Sequence, residues 1–441
     1  MRKVFTALGM CFAWACLSGV ASAERELPTL RGWAIDAFAS NIGDELDELK
    51  LSSQSNRSIS LNELIPLHNA NAILAQYGNP AAHDNDTDAA AYLAWVDDEV
   101  LPHMRRLHSV VSTHGALVQL SLHDPPGGRK IINGKPKEVM FTSGFTHLQD
   151  TYVAAWKKVA AEFSASPNVI FQIVSEPAGT AQEVRELILK VSRGIHEIES
   201  SNRPEIVIMP AFGNLNNMGQ FNEAFMDELP ANEFIIAANF YPFLQYQHEE
   251  TIVDKTLDTN ICYPGGAAVE LDEDCPAAAS AASDSSDRSL RKKKGKGKGK
   301  GKGKGKDNNG GDNDKITFDQ DGMYKATAKM CKLISEYADR TFAGGATVAA
   351  KALQPEGDVT ARSRNGAQFL ADKLEVFADA SCPWHYYGFA LNGDPILDNR
   401  MACTGNRKFD NIECTFAGNE EGSIDTLDVY LNAFKDNEFL N

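Results

Sequence analysis

The stretch Asn168 to Gly179, NVIFQIVSEPAG, carries one carboxylate, Glu176, to the end of an apolar run and pins it there with Pro177. Other apolar runs end in His123-Asp124, followed by PPGG, and in Asn239-Phe240-Tyr241-Pro242, while a late run contains Trp384, Tyr386 and Tyr387. These residue types suit one kind of chemistry. A carboxylic acid walled by aromatic rings is desolvated, which raises its pKa toward neutrality and lets it give a proton to a leaving oxygen. Aromatic faces also stack on sugar rings. Taken alone, Glu176 reads equally well as a strand-end carboxylate capping the helix that follows. The polar ends of the other runs tip the balance toward chemistry.

Such residues meet only if the elements that carry them converge. Strand-like apolar runs alternate with helical patterns along most of the chain, the signature of a parallel α/β architecture. The candidate strands are 30–38, 57–64, 116–123, 168–176, 205–212, 234–241, 341–350 and 383–391. Eight is the number a closed barrel requires, so the predicted fold is α/β, a (β/α)8 TIM barrel. Helices are predicted over 89–114, 145–163, 181–199, 219–228, 322–338 and 362–378, with only a short one, in DELDELKLS, after the first strand. In LQDTYVAAWKKVAAEF, Tyr152, Ala155, Trp156, Val159 and Phe163 fall on one face, which should pack on the sheet. In a barrel of this kind the loops at the carboxyl ends of the strands gather around the active site.

Residues 1–23 begin with Arg2 and Lys3, run through a short apolar stretch and close on Ala21-Ser22-Ala23, the pattern of a cleavable secretory signal. They predict a secreted protein with one barrel domain over 24–441. No later segment is long and apolar enough to enter a membrane. Cys262, Cys275, Cys331, Cys382, Cys403 and Cys414 remain after the signal, an even set that in an oxidising compartment favours disulfides. The short loops 262–275 and 403–414 are the natural pairs, leaving Cys331 with Cys382. Asn56 and Asn85 head Asn-x-Ser/Thr acceptors. No Cys-x-x-Cys or His/Cys spacing points to zinc, and the chemistry needs neither metal nor organic cofactor.

The formal net charge of −17 conceals an asymmetry, because RKKKGKGKGKGKGKGK, from Arg291 to Lys306, concentrates ten positive charges. The rest of the chain is correspondingly more acidic, which argues against nucleic-acid binding by the main domain. Residues 276–314, rich in Gly, Ser, Asp and Lys, cannot bury a core and are predicted to be a disordered low-complexity insertion after the sixth strand. A solvated tether is the plain reading of that segment; an arm that holds an anionic surface by charge is the sharper one. A monomer is expected.

Apart from the insertion, the mature sequence resembles glycoside hydrolase family 5, the cellulase-like (β/α)8 barrels. The resemblance lies in LRGWAID, LVQLSLHDPPGG, VIFQIVSEP, NFYPFLQYQHE and RSRNGAQFLADKLEVFADASCPWHYYGFA, taken in order and at their spacing. It implies retaining hydrolysis of a β-linked glucan or mannan, with a polysaccharide or oligosaccharide as substrate. Carried over by position, Glu176 matches the acid/base, His123 a substrate-side histidine, Tyr241 the tyrosine that orients the nucleophile, and Trp384 the start of the aromatic last strand.

Several positions depart from that pattern. Ser175 stands where the family has asparagine, Asn239 where it has histidine, and Tyr387 where a tryptophan usually floors the sugar site. Arg57 lies near the second-strand arginine with its register off by about one residue, a shift that reverses a side chain's face. The largest departure concerns the nucleophile. A retaining enzyme needs a second carboxylate about 5–5.5 Å from the acid/base, but FAGGATVAAK sets Gly345 opposite the family's strand-seven glutamate. Glu356, in LQPEGD, is the nearest downstream substitute and would land at a strand end if the seventh strand were VAAKALQP. Otherwise the covalent step is lost, and an inactive carbohydrate-binding pseudoenzyme of the same fold becomes the alternative.

Overall fold

The computed structural model describes residues 30–38, 49–50, 58–67, 70–78, 88–198, 204–230 and 234–239, and from there the segments 251–254, 259–262, 268–270, 320–334, 341–344, 346–347, 372, 375–376, 386–390, 401–404 and 413–416. Its centre is a parallel sheet of β1 (Arg31–Phe38), β2 (Ala72–Gly78), β3 (Leu117–Leu122), β4 (Val169–Gln172), β5 (Ile206–Ile208), β6 (Phe234–Asn239), β7 (Thr341–Gly344, resumed at Ala346–Thr347) and β8 (Tyr386–Ala390). Each strand pairs with the next in chain order. The first part of β7 pairs with β6, setting Asn239 opposite Gly344; the second pairs with β8, setting Ala346 opposite Tyr387. β8 then pairs with β1, Arg31 against Tyr386, so the ring closes. The protein is a (β/α)8 barrel.

Side chains along a strand point alternately inward and outward, and membership of two apolar clusters follows that alternation. Leu74, Leu117, Ile170, Val207 and Ile235 form one apolar cluster that fills the lumen. Ile73, Val118, Leu120, Phe171, Ile208 and Ile236, on the opposite faces of the same strands, join the helices in a second, larger cluster. α1 (Leu61–Leu67) follows β1, and α2 follows β2 as Ala89–Trp95, a single π turn Val96–Val100, and Leu101–Thr113. α3 (His147–Phe163), α4 (Ala181–His196), α5 (Glu223–Met226) and α6 (Gln320–Ile334) follow β3 to β6. The predicted face of α3 is the buried one: Tyr152, Ala155, Trp156, Val159 and Phe163 are covered, and the Trp156 ring lies 5.6 Å from that of Phe171 on β4. Fully burying a side chain of this size is worth about 1.5–3 kcal/mol.

The second predicted strand, 57–64, is not part of the barrel. Among its described residues only Ser58–Ile59 is extended, in a two-residue ladder with Leu49–Lys50; the rest of DELDELKLS, where a short helix is expected, lies outside the described residues. Ser60 then starts α1. Its backbone N–H donates to Glu63 Oε2 at 3.1 Å while Glu63 N–H donates to Ser60 Oγ at 3.2 Å, a capping box that commits the chain to a helix. The strand lies later, in AILAQYG. The ground for choosing Arg57, its nearness to the second barrel strand, therefore falls away, and Arg57 itself is outside the described residues. β7 is described within TFAGGAT, and the alternative VAAKALQP lies outside the described residues. The helix predicted over 219–228 shrinks to the single turn Glu223–Met226 after a 3-10 segment, Leu215–Gln220.

Cys331 is disulfide-bonded. The antiparallel ladder of Met401–Thr404 with Glu413–Phe416 sets Cys403 opposite Cys414. The signal, Asn56, Asn85, Cys275, Cys382 and the 276–314 insertion lie outside the described residues. Among the described residues no helix is long and apolar enough to cross a membrane.

Candidate active site

Near the carboxyl ends of the strands the lumen turns polar. Gln119 on β3 donates its amide to Gln172 Oε1 on β4, and Gln172 reaches Met209 Sδ at 3.5 Å. One layer higher, Gln76 on β2 approaches Ser175 Oγ at 3.5 Å. His123 continues the inward register of Leu117, Gln119 and Ser121, and its N–H donates to Tyr77 O at 3.0 Å. Tyr92 of α2 fixes the next peptide by donating to Asp124 O at 3.1 Å. From behind, the buried Tyr152 hydroxyl meets both Leu122 O and Ile173 O, and Trp156 Nε1 also donates to Ile173 O, at 3.1 Å. One aromatic pair on α3 thus anchors the two strand ends that lead to His123 and to Glu176.

Glu176 sits in the turn after β4 with φ +46°, in the left-handed region. A non-glycine residue held there costs on the order of 1–3 kcal/mol and stays only where its surroundings over-determine it. The surroundings here are a hairpin and the loop after β5. The hairpin pairs Arg129–Ile132 with Lys135–Glu138 around Asn133-Gly134, whose positive φ values of +54° and +76° are those its tight turn needs. Arg129 Nη2 donates to Glu176 O at 2.7 Å. Glu138 N–H donates to Ala178 O at 2.8 Å, and Ala178 N–H donates back to Glu138 Oε1 at 3.1 Å. The same carboxylate oxygen accepts Arg129 Nε at 2.9 Å and Arg129 Nη2 at 2.8 Å. From β5, Phe212 N–H donates to Pro177 O at 2.9 Å, with Phe212 itself at φ +59°. Lys137 joins the hairpin to the start of α4 through Glu183 at 2.7 Å, and Glu183 also completes the capping box with Thr180.

The electrostatics of this rim centre on His123. Burial pushes its imidazole below the ordinary histidine value; the Asp124 and Glu176 carboxylates pull it up, and the Arg129 guanidinium pushes it down. All three charged groups therefore act on one half-buried ring, which stays neutral at neutral pH. Glu138 is 1% exposed. Burial raises its carboxyl above the usual range, against the pull of Arg129 and the Ala178 N–H. Among the described residues no cluster of His, Cys, Asp or Glu could hold a metal ion.

Of the residues singled out from sequence, His123, Ser175 and Glu176 come together at this rim. Asn239 ends β6 opposite Gly344, and Tyr387 lies on β8 opposite Gly32 of β1. Tyr241, Trp384 and Glu356 lie outside the described residues. β7, as Thr341–Gly344 and Ala346–Thr347, contains no carboxylate. Sequence reasoning missed Arg129 and Glu138. The signal was there: an Asn-Gly turn at 133–134 in RKIINGKPKE sets Arg129 opposite Glu138 in a hairpin.

The model of the Cellulase family, glycosyl hydrolase family 5, matches residues 68–296, more than half of the chain. The chain belongs to glycosyl hydrolase family 5. That match runs through β2 to β6 and takes in His123, Glu176 and the hairpin between them. No curated protein sequence matches at a significant level. Among solved structures, Thermotoga maritima Cel5A in complex with cellobiose superimposes with a TM-score of 0.48 at 12% identity, covering 92% of this chain and 97% of that one. A family 5 xyloglucanase from Paenibacillus pabuli gives 0.48 at 12% identity, over 93% and 98% of the two chains. A mutant form of a family 5 glycoside hydrolase from Prevotella bryantii, in complex with a xyloglucan tetradecasaccharide, gives 0.48 at 9% identity, over 94% and 96%.

Proposed function

We propose that this family 5 protein is a secreted enzyme that hydrolyses a β-linked glucan or mannan with retention of configuration, using Glu176 as the proton donor. The observation that carries this reading is the turn after β4, where Glu176 stands at φ +46° beside a neutral His123. In the first step Glu176 gives its proton to the glycosidic oxygen as the bond from that oxygen to the anomeric carbon breaks, and a second carboxylate forms the ester to that carbon. In the second step water attacks the anomeric carbon as the bond from that carbon to the carboxylate oxygen breaks, the carboxylate is released, and the proton of the water passes to Glu176. His123 and Ser175 are assigned to hydrogen-bond sugar hydroxyls near the breaking bond. Asn239, Tyr241, Trp384 and Tyr387 are assigned to the same substrate from the later strands.

Glu356 is assigned as the nucleophile because it is the first carboxylate in the chain after β7. Glu176→Ala and Glu356→Ala should each lower reducing-sugar release from β-glucan or β-mannan by about two to four orders of magnitude. Full activity in either variant refutes that residue's role. The lack of a carboxylate within β7 favours a second reading, a pseudoenzyme that binds the glycan without cleaving it. Calorimetric binding of cello- or manno-oligosaccharides with no turnover would establish that reading, and a glycosyl-enzyme trapped with a fluorosugar would eliminate it. The Gly-Lys run is assigned to an anionic surface. Deleting 288–306 should abolish salt-sensitive binding to an anionic polysaccharide, and unchanged binding refutes this.

A further inference from the structure

We infer that Arg129 and Glu138 are positioning residues for Glu176, acting on proton transfer through the backbone of the Glu176-Pro177-Ala178 turn. This rests on the reading of Glu176 as the proton donor. Four backbone groups of that turn find partners outside it. Glu176 O takes Arg129, Pro177 O takes the Phe212 N–H, and Ala178 exchanges hydrogen bonds with Glu138 through both its N–H and its C=O. Two of the three sources are one ion pair on one hairpin, and that hairpin is also pinned to the start of α4 through Lys137 and Glu183.

A buried ion pair is by itself no sign of added stability. Desolvating a carboxylate costs much of what the ion pair returns, and well-packed apolar residues often serve stability as well. Glu138 is nevertheless fully covered, with Arg129 40% exposed above it, and besides bonding each other both side chains hydrogen-bond the peptide units next to the proton donor. A left-handed glutamate relaxes once its carbonyl loses its partner, and its carboxyl then swings away from the glycosidic oxygen. Misplacement by about 1 Å is enough to cost a large part of such a contribution.

Leaving-group dependence separates positioning from general support. A dinitrophenolate departs without protonation, whereas an alkoxide or a methoxyphenolate needs the acid. In Glu138→Gln, which keeps the shape and an acceptor, and in Arg129→Met, kcat/KM on poor-leaving-group β-glycosides should fall about tenfold or more, within the span a general acid contributes. On dinitrophenyl β-glycosides it should stay within about threefold, and Arg129→Lys should recover part of the loss. Equal losses on both substrates, or no loss on either, overturn the proposal. Glu176→Ala serves as the reference: if it shows no leaving-group split, or if the native protein cleaves neither substrate, the reading of Glu176 fails first. If Glu176→Ala shows the split and the hairpin variants do not, only the positioning role fails.

Discussion

His103 on α2 makes the stability of this barrel depend on pH in a way that can be worked out from the structure. It is 2% exposed, its Nδ1 is 2.8 Å from the Tyr77 hydroxyl, and the two rings meet edge to face at 5.4 Å. Burial first, and the nearby Arg106 charge second, lower its pKa to about 4 from an ordinary 6.5. Between those values the unfolded chain holds a proton that the folded protein excludes, so stability is fully present above pH 6.5 and is lost as pH falls toward 4. At 1.36 kcal/mol per pH unit the full loss is about 3 kcal/mol, of which about 2 kcal/mol falls between pH 7 and pH 4.5. Glu138, whose carboxyl is raised, works in the opposite sense: it takes up a proton more readily in the folded state and so gains stability as pH falls toward the ordinary carboxylate range. A difference measurement removes that contribution. Urea midpoints of the native protein and His103→Gln at pH 7 and pH 4.5 should show the native protein losing about 2 kcal/mol more than the variant over this interval. Equal losses would mean that His103 is protonated inside the fold and that its burial does not set its charge. The consequence reaches the active site, because the Tyr77 carbonyl that crowns this pair accepts the N–H of His123.

Three further substitutions probe the frame around the site. Tyr152→Phe removes the hydroxyl that serves Leu122 O and leaves a buried carbonyl unpaired, so it should cost about 1–3 kcal/mol by urea denaturation. Trp156→Phe removes the indole donor from Ile173 O, which then shares the single Tyr152 proton with Leu122 O, so the hydrogen-bond part of its cost should be smaller; the reverse order of these contributions would refute the anchoring role. Gly127 has φ +82°, and a Cβ there would lie 3.0 Å from Val139 Cβ and Cγ1, so Gly127→Ala should destabilise by at least about 1–2 kcal/mol, read as a lowered urea midpoint.

How far the sequence reveals the barrel depends on which physical signal dominates in each segment. Seven of the eight barrel strands lie within the apolar runs read from sequence, because strands buried on both faces are rich in apolar residues, as in Val169, Ile170 and Phe171 of β4. The run at 57–64 misleads because its alternation is interrupted by a stronger local signal, the Ser60–Glu63 capping box, and helix initiation prevails over strand pattern. β2, AILAQYG, is interrupted by a single polar residue and β3 by two, so the β2 pattern is no weaker; the run at 57–64 takes its place in the order, and Gln76 on β2 reaches Ser175 at the rim.

The site divides along similar lines. His123, Ser175 and Glu176 can be read from sequence because each lies within a few residues of a strand end, where parity and topology set a side chain's direction. Arg129 and Glu138 belong to the loop after β3, and their effect on Glu176 passes between segments 47 and 40 residues apart. Strand periodicity carries no information over such a distance. What could have supplied it is the two-residue Asn-Gly turn, whose register leaves no freedom in which residue faces Arg129. Once that pairing is fixed, the charge it places beside the turn is fixed as well. Glu138 is nearly inaccessible to solvent and sits against an arginine, a geometry in which losing one partner strands the other's charge. The backbone around Glu176 is thus met by a side-chain pair contributed by a neighbouring loop, and this turn cannot be understood from the NVIFQIVSEPAG segment alone.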